Sequence, residues 1–261
     1  MILVNGTVQS QINITDRGFQ YGDGLFETIA VFKGKACFLN RHLKRLTQGC
    51  LRLKIPVPDL NNLQAEIAQL CQEADHAVLK IIVTRGSGGR GYRQPDSIQP
   101  TRVLSLHPFP SYPNEGITAR FCQTRLSLNP TLAGLKHLNR LEQVLARSEW
   151  TDEVTEGIML DINDRVIEGT MSNLFYIKNK QLYTAKLTQS GVAGIIRGLI
   201  MEHHAVIEHD YRQADLLAAD ECFICNAVIG IMPIKQLEQH TFNISKHSRD
   251  LQHWLYTLRH A

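Results

Sequence analysis

Apolar residues first appear in alternation, around two tight turns. "ILVNGTV" sets an Asn-Gly pair between apolar positions, and "TIAVFKGKACFL" turns at Lys33-Gly34, so residues 1–35 read as two β-hairpins. The period then changes. "FLNRHLKRLTQGCLRL" and "DLNNLQAEIAQLCQEAD" repeat apolar residues at spacings of three and four, and "IPVP" between them stops the first helix. "AVLKIIVTRG" and "TRVLSLHPF" return to strand. The stretch 107–116, "HPFPSYPNEG", is rich in proline and turn formers and links two parts of the chain.

Beyond the link, "ITARFCQ" reads as a strand and "GLKHLNRLEQVLAR", residues 134–147, as a helix. Leu138, Leu141 and Leu145 give that helix one apolar face directed at the core, with Lys136 just outside the stripe. "GIMLDIND", "NLFYIKN" and "QLYTAK" are strands, and a helix starts near Gly194. A short helix covers "QADLLAAD", "ECFICNAVIG" is strand, and the amphipathic "SRDLQHWLYTLRH" closes the chain. No repeat interrupts this order. The mixture predicts an α+β fold in two domains, 1–108 and 116–261, joined by a linker at 109–115.

Composition narrows the function classes. With 43% hydrophobic and 20% charged residues the chain is globular, and a net charge of +3 without a basic stripe gives no reason to invoke nucleic acid. The N-terminus turns polar within five residues, and no apolar run is long enough for a bilayer. Neither a signal peptide nor a membrane is expected. Six scattered cysteines suit reduced thiols in a cytoplasmic protein. Cys222 and Cys225 have CxxC spacing but no second ligand pair, so they read as members of a buried strand and no metal site is expected.

Five segments carry candidate chemistry. "RGSGGRG" contains a formal GxGxxG, but "YRQPDSIQP" follows it and forbids the helix a dinucleotide site needs. What remains is a loop whose Arg85 and Arg90 either meet an anionic substrate or lie in solvent. "GVAGIIRG" puts glycines before a helix, where the N–H groups of Ile195 and Ile196 suit a phosphate. Glu168 in "VIEGTMSNLFYI" is an exposed turn residue or a buried partner for a cationic ring nitrogen. Lys136 and Arg45, each taken alone, are surface residues of helices. Taken together, lysine, distant glutamate, helix-start anion site and arginine are the parts pyridoxal 5'-phosphate requires.

In that ordered set the chain resembles the class IV aminotransferase-like, fold-type IV pyridoxal phosphate enzymes. "DRGFQYGDGLFETI", "RHLKRL", "TRGSGGRGY", "LAGLKHLNRLEQVLAR", "VIEGTMSNLF" and "GIIRG" carry the resemblance over almost the whole length. It implies a D-amino-acid aminotransferase-like architecture, with a small N-terminal α/β domain and a larger barrel-like C-terminal domain that carries the lysine. It also implies a homodimer. By the resemblance, Lys136 is the Schiff-base lysine, Glu168 partners the pyridine nitrogen, and Arg45 with the backbone of Ile195 and Ile196 holds the phosphate. Thr28 matches a substrate-facing hydroxyl, and Asn226 matches an active-site segment assigned to the cofactor side. Arg90 and Arg85 are the candidates for a substrate carboxylate.

Branched-chain transaminases of the family carry a tyrosine five residues after the lysine, where this chain has Leu141. The lysine segment thus resembles the lyase form of the family, and that resemblance implies release of 4-aminobenzoate and pyruvate from 4-amino-4-deoxychorismate, a step toward folate. "EGTMSN" is closer to the transaminase form, and transamination of D-amino or branched-chain amino acids is the alternative.

Overall fold

The computed structural model describes every residue except Asn114, Ser245 and Ala261. It divides into two compact units. One comprises residues 1–110 together with Lys136–Asn139, and the other comprises the rest of the described chain.

The first unit contains β1 (Ile2–Val4), β2 (Thr7–Val8), α1 (Arg17–Tyr21), β3 (Gly24–Phe32), β4 (Lys35–Ala36), α2 (Leu39–Leu53), α3 (Leu60–Cys71), β5 (His76–Thr84) and β6 (Thr101–Pro108). Its six strands form one antiparallel sheet in the order β2-β1-β6-β5-β3-β4. Both expected hairpins are present. Asn5-Gly6 and Lys33-Gly34 take positive φ at both turn positions (50° and 83°, 48° and 77°), as a two-residue type I′ connection requires. The Asp59 side chain caps α3 by accepting from the Asn62 N–H at 2.9 Å. Helix α2 lays Leu43, Leu46 and Cys50 against β3, where Gly49 leaves room for Leu25. Helix α1 carries no apolar periodicity and has no counterpart in the hydrophobic pattern.

The second unit contains β7 (Ile117–Leu126), α4 (Leu141–Arg147), β8 (Glu156–Asp161), β9 (Val166–Gly169), β10 (Asn173–Lys178), β11 (Gln181–Ala185), α5 (Ile195–His203), β12 (Val206–His209), α6 (Gln213–Leu217), β13 (Glu221–Asn226), β14 (Gly230–Leu237), β15 (His240–Thr241) and α7 (Lys246–His260). Strands β10-β13-β14-β7-β8-β9 follow one another, and a pairing of Glu168 with Asn173 joins β9 back to β10. The ring is therefore closed, which is the barrel-like sheet of the expected fold. Ile117, Ile158, Leu160, Leu174, Ile224 and Ile234 belong to its main buried cluster. Cys222 and Cys225 lie buried in β13 as free thiols.

One expected element is corrected. The helix predicted over 134–147 forms only as α4 from Leu141. Gly134 takes φ +80°, and the backbone of the following residues pairs with β3: Phe26 N–H donates to Lys136 O and Leu138 N–H to Gly24 O, each at 3.0 Å. Those long-range bonds explain why Lys136–Asn139 groups with the first unit and not with the C-terminal residues around it. The leucine stripe is not a core face either. Leu141, Val144 and Leu145 are 69%, 61% and 51% exposed.

Candidate active site

Strand β3 alternates its faces, so Glu27 shares a face with Leu25 and Ile29 toward α2, while Phe26 and Thr28 share the other. A lone carboxylate in an apolar strand needs partners, and α2 supplies two. Arg45 grips Glu27 with both edges of its fork, Nε to Oε1 at 2.8 Å and Nη2 to Oε2 at 2.5 Å. His42 Nδ1 donates to Oε2 at 2.6 Å. Burial pushes the Glu27 carboxyl up, but the Arg45 charge and the bonds from His42 and Arg45 outweigh it and hold the pKa to about 2. Burial likewise lowers His42, whose Nε2 has no partner among the described residues. Arg45 is thus set rigidly on β3, oriented by a carboxylate that stays charged.

On the other face, Lys136 Nζ lies 4.2 Å from the centroid of the Phe26 ring. Lys80, the cross-strand partner of Thr28, places its Nζ 5.8 Å from the same ring. Two amines therefore flank Phe26 within the first unit, on the face of β3 that Thr28 shares. Sequence reasoning missed Lys80, although its in-register position opposite Thr28 follows once β3 and β5 are paired.

In the second unit, Glu168 sits where the barrel closes. It is 4% exposed, and its Oε2 accepts from Val192 N–H at 2.8 Å and from Asn173 Nδ2 at 3.4 Å. Asn173 Nδ2 also donates to Val192 O at 2.8 Å, so strand and turn are laced together. The glycines of "GVAG" are required by this contact: a Cβ on Gly194 would lie 2.0 Å from Asn173 Oδ1, and Gly191 has φ +82°. Gly194 is the N-cap of α5. The N–H groups of Ile195 and Ile196 therefore fall in the first turn, where helix geometry offers no internal acceptor and the dipole favours an anion.

A second buried carboxylate, Glu156, was not anticipated. It accepts from Thr170 Oγ1 (2.5 Å), Ser172 Oγ (2.8 Å), Thr170 N–H (3.1 Å) and Gly157 N–H (3.0 Å). Desolvation raises its pKa despite these donors. The composition of "EGTMSN" thereby acquires a structural cause, because Thr170 and Ser172 bind Glu156 and shape the turn that follows Glu168.

Two expected site residues have other work. Arg85 is buried and spends its guanidinium on Asp23 (Nε–Oδ2 2.8 Å, Nη2–Oδ1 3.0 Å) and on the carbonyls of Leu53 and Lys54. Those bonds give Arg85 a structural role, tying Asp23 to the end of α2. Burial pushes Asp23 up, but Arg85 and Arg17 more than offset it and its pKa is lowered. Asn226 forms a turn: Oδ1 accepts from Val228 and Ile229 N–H at 2.9 Å, and Nδ2 donates to Met171 O at 3.1 Å. That is a turn-forming role. Arg90 is exposed on its loop. Of the remaining residues, Lys136, Thr28 and Arg45 belong to the first unit, and Glu168, Ile195 and Ile196 to the second.

These donors fit pyridoxal 5'-phosphate by their chemistry. The first unit supplies an amine and an oriented guanidinium, and the second a buried carboxylate and a helix start where Asn173 leaves no space for a Cβ on Gly194. Among the described residues no group of three His, Cys, Asp or Glu could hold a metal ion, and no helix is long and apolar enough to cross a membrane.

A model of the amino-transferase class IV family matches residues 24–237. The chain is 36% identical to an aminodeoxychorismate lyase of Vibrio harveyi, over 97% of this chain and 98% of that one. The crystal structure of 4-amino-4-deoxychorismate lyase from Pseudomonas aeruginosa superposes with a TM-score of 0.94 at 43% identity, covering 98% of both chains. A D-alanine aminotransferase of Bacillus licheniformis is 26% identical over 92% of this chain and 89% of its own length.

Proposed function

The chain belongs to the amino-transferase class IV family, and from that premise we propose that it is a pyridoxal phosphate-dependent lyase converting 4-amino-4-deoxychorismate to 4-aminobenzoate and pyruvate. The observation that carries this reading is the near-full-length likeness to two aminodeoxychorismate lyases, at 36% and 43% identity. Leu141, standing where branched-chain transaminases have tyrosine, supports it.

When bound, the cofactor supplies a carbonyl that condenses with amines and a protonated pyridine ring that withdraws electrons. The rest falls to the chain. Arg45, fixed by Glu27, and the N–H groups of Ile195 and Ile196 bind the phosphate. Glu168 keeps the proton on the pyridine nitrogen. Lys136 would hold the cofactor through its Nζ, and the same amine, when not so engaged, would serve as the base for the proton on the substrate ring carbon that bears nitrogen. The ether C–O bond breaks, the carbocycle becomes aromatic, and enolpyruvate takes up a proton on the Thr28 side to become pyruvate. Arg90 anchors a substrate carboxylate. The family expectation of a homodimer completes the assignment, and 4-aminobenzoate places it in folate synthesis.

Parallel incubations separate this reaction from transamination. With aminodeoxychorismate the chain is expected to release 4-aminobenzoate. Exchange between amino-acid and keto-acid pairs, with no 4-aminobenzoate, would assign it to the transaminases instead.

A further inference from the structure

The segment "DRGFQYGDG" carries a buried arginine that the reaction does not use. Arg17 is 3% exposed, and its Nε donates to Asp23 Oδ2 at 3.0 Å. Its other nitrogens reach three consecutive carbonyls: Nη1 donates to Gly91 O at 2.9 Å and Arg93 O at 3.5 Å, and Nη2 to Tyr92 O at 3.5 Å. These are the residues directly after Arg90. Tyr21 completes the grip, since its hydroxyl accepts from Gly91 N–H at 3.0 Å and its ring meets Tyr92 edge-on at 5.6 Å.

The near end of the loop is tied to the same segment. Arg17 N–H donates to Gly86 O at 2.9 Å, and Gly88 N–H to Thr15 O at 3.1 Å. A Cβ on Gly88 would stand 3.1 Å from Arg17 Cδ. A stretch holding Gly88, Gly89 and Gly91 is costly to order, because glycine loses more conformational freedom than any other residue. A planar guanidinium with five fixed donors is suited to pin successive carbonyls in one arrangement. Packing alone does not explain why those donors converge on the residues beside an exposed arginine.

We propose that Arg17 is a positioning residue for substrate binding: by holding the carbonyls of residues 91–93 it fixes the loop that presents Arg90, and so sets the affinity for the substrate's carboxylate. The proposal rests on the assignment of Arg90 as carboxylate anchor.

Four variants test it: Arg17→Lys, Arg17→Gln, Tyr21→Phe and Arg90→Gln. Three readouts apply to the cofactor-loaded enzyme, namely trypsin cleavage after Arg90, KM against kcat for aminodeoxychorismate, and cofactor Kd from visible absorption. Both Arg17 variants are expected to be cut after Arg90 faster and to raise KM by about tenfold, as loss of a charge-assisted contact implies. Their kcat and cofactor Kd should stay within about twofold of wild type. Tyr21→Phe should move cleavage and KM the same way by about threefold, and it keeps the Arg17–Asp23 pair, so it decides the matter if the Arg17 variants do not fold. Unchanged cleavage in the folded variants overturns the claim that Arg17 fixes the loop. Faster cleavage with unchanged KM overturns the positioning role. Should Arg90→Gln leave KM unchanged while the Arg17 variants raise it, the Arg90 assignment falls and with it the proposal that Arg17 acts by presenting Arg90.

Discussion

Replacing Glu27 by glutamine removes the charge facing His42 and Arg45 while keeping the side chain's volume. In the folded protein the Glu27 pKa falls from 4.5 to about 2, because the Arg45 charge and the His42 and Arg45 bonds outweigh a large desolvation. At about 1.36 kcal/mol per pH unit, that fall corresponds to about 3 kcal/mol of stability, the size found for breaking one half of a buried ion pair. The sign follows from the depressed pKa. The contribution is complete above the unfolded value near 4.5 and is lost as pH falls toward 2. Urea midpoints of wild type and Glu27→Gln, measured from pH 7 downward, should differ most at neutral pH and converge as the pH drops through that window. A gap that stays constant with pH, or no gap at pH 7, would refute the claim that an ionised Glu27 holds Arg45.

Further outcomes follow from the same geometry. Lys136→Ala should lose the borohydride-reducible linkage to the cofactor while far-ultraviolet circular dichroism stays native, since the bonds that seat residues 136–138 on β3 are made by the backbone and not by the amine. Gly194→Ala should weaken cofactor affinity by at least about tenfold in an absorbance titration, because a Cβ 2.0 Å from Asn173 Oδ1 forces the helix start to move. Asn226→Ala should lower stability by about 2 kcal/mol through three lost hydrogen bonds, yet leave cofactor Kd within about threefold, as its turn-forming role requires. A large selective loss of cofactor affinity in that variant would show that Asn226 acts on the cofactor and not on the turn alone.

Much of the fold was legible because its signals are local. Asn5-Gly6 and Lys33-Gly34 demand positive φ, and the leucines of α2 repeat within one helix. What escaped depends on distant partners. The spacing of Leu138, Leu141 and Leu145 fits a helix, but backbone bonds from Phe26 and Gly24, more than a hundred residues earlier, draw 136–138 into extended pairing. The leucines of α4 are left exposed, which no local pattern records. Arg85 looked available in a glycine-rich loop until Asp23, 62 residues away, claimed it. Glu156 stayed hidden for the same reason, since its donors Thr170 and Ser172 lie on another strand connection. The residue types of the candidate site were readable as a set, whereas the supports beneath them, Glu27, His42 and Asn173, came only with the strand register.

The most direct measurement is product formation by the purified, cofactor-loaded chain given 4-amino-4-deoxychorismate. 4-Aminobenzoate and pyruvate should appear in equal amounts, with neither product from Lys136→Ala. Substrate left intact by wild type, or consumed without 4-aminobenzoate, would contradict the lyase assignment.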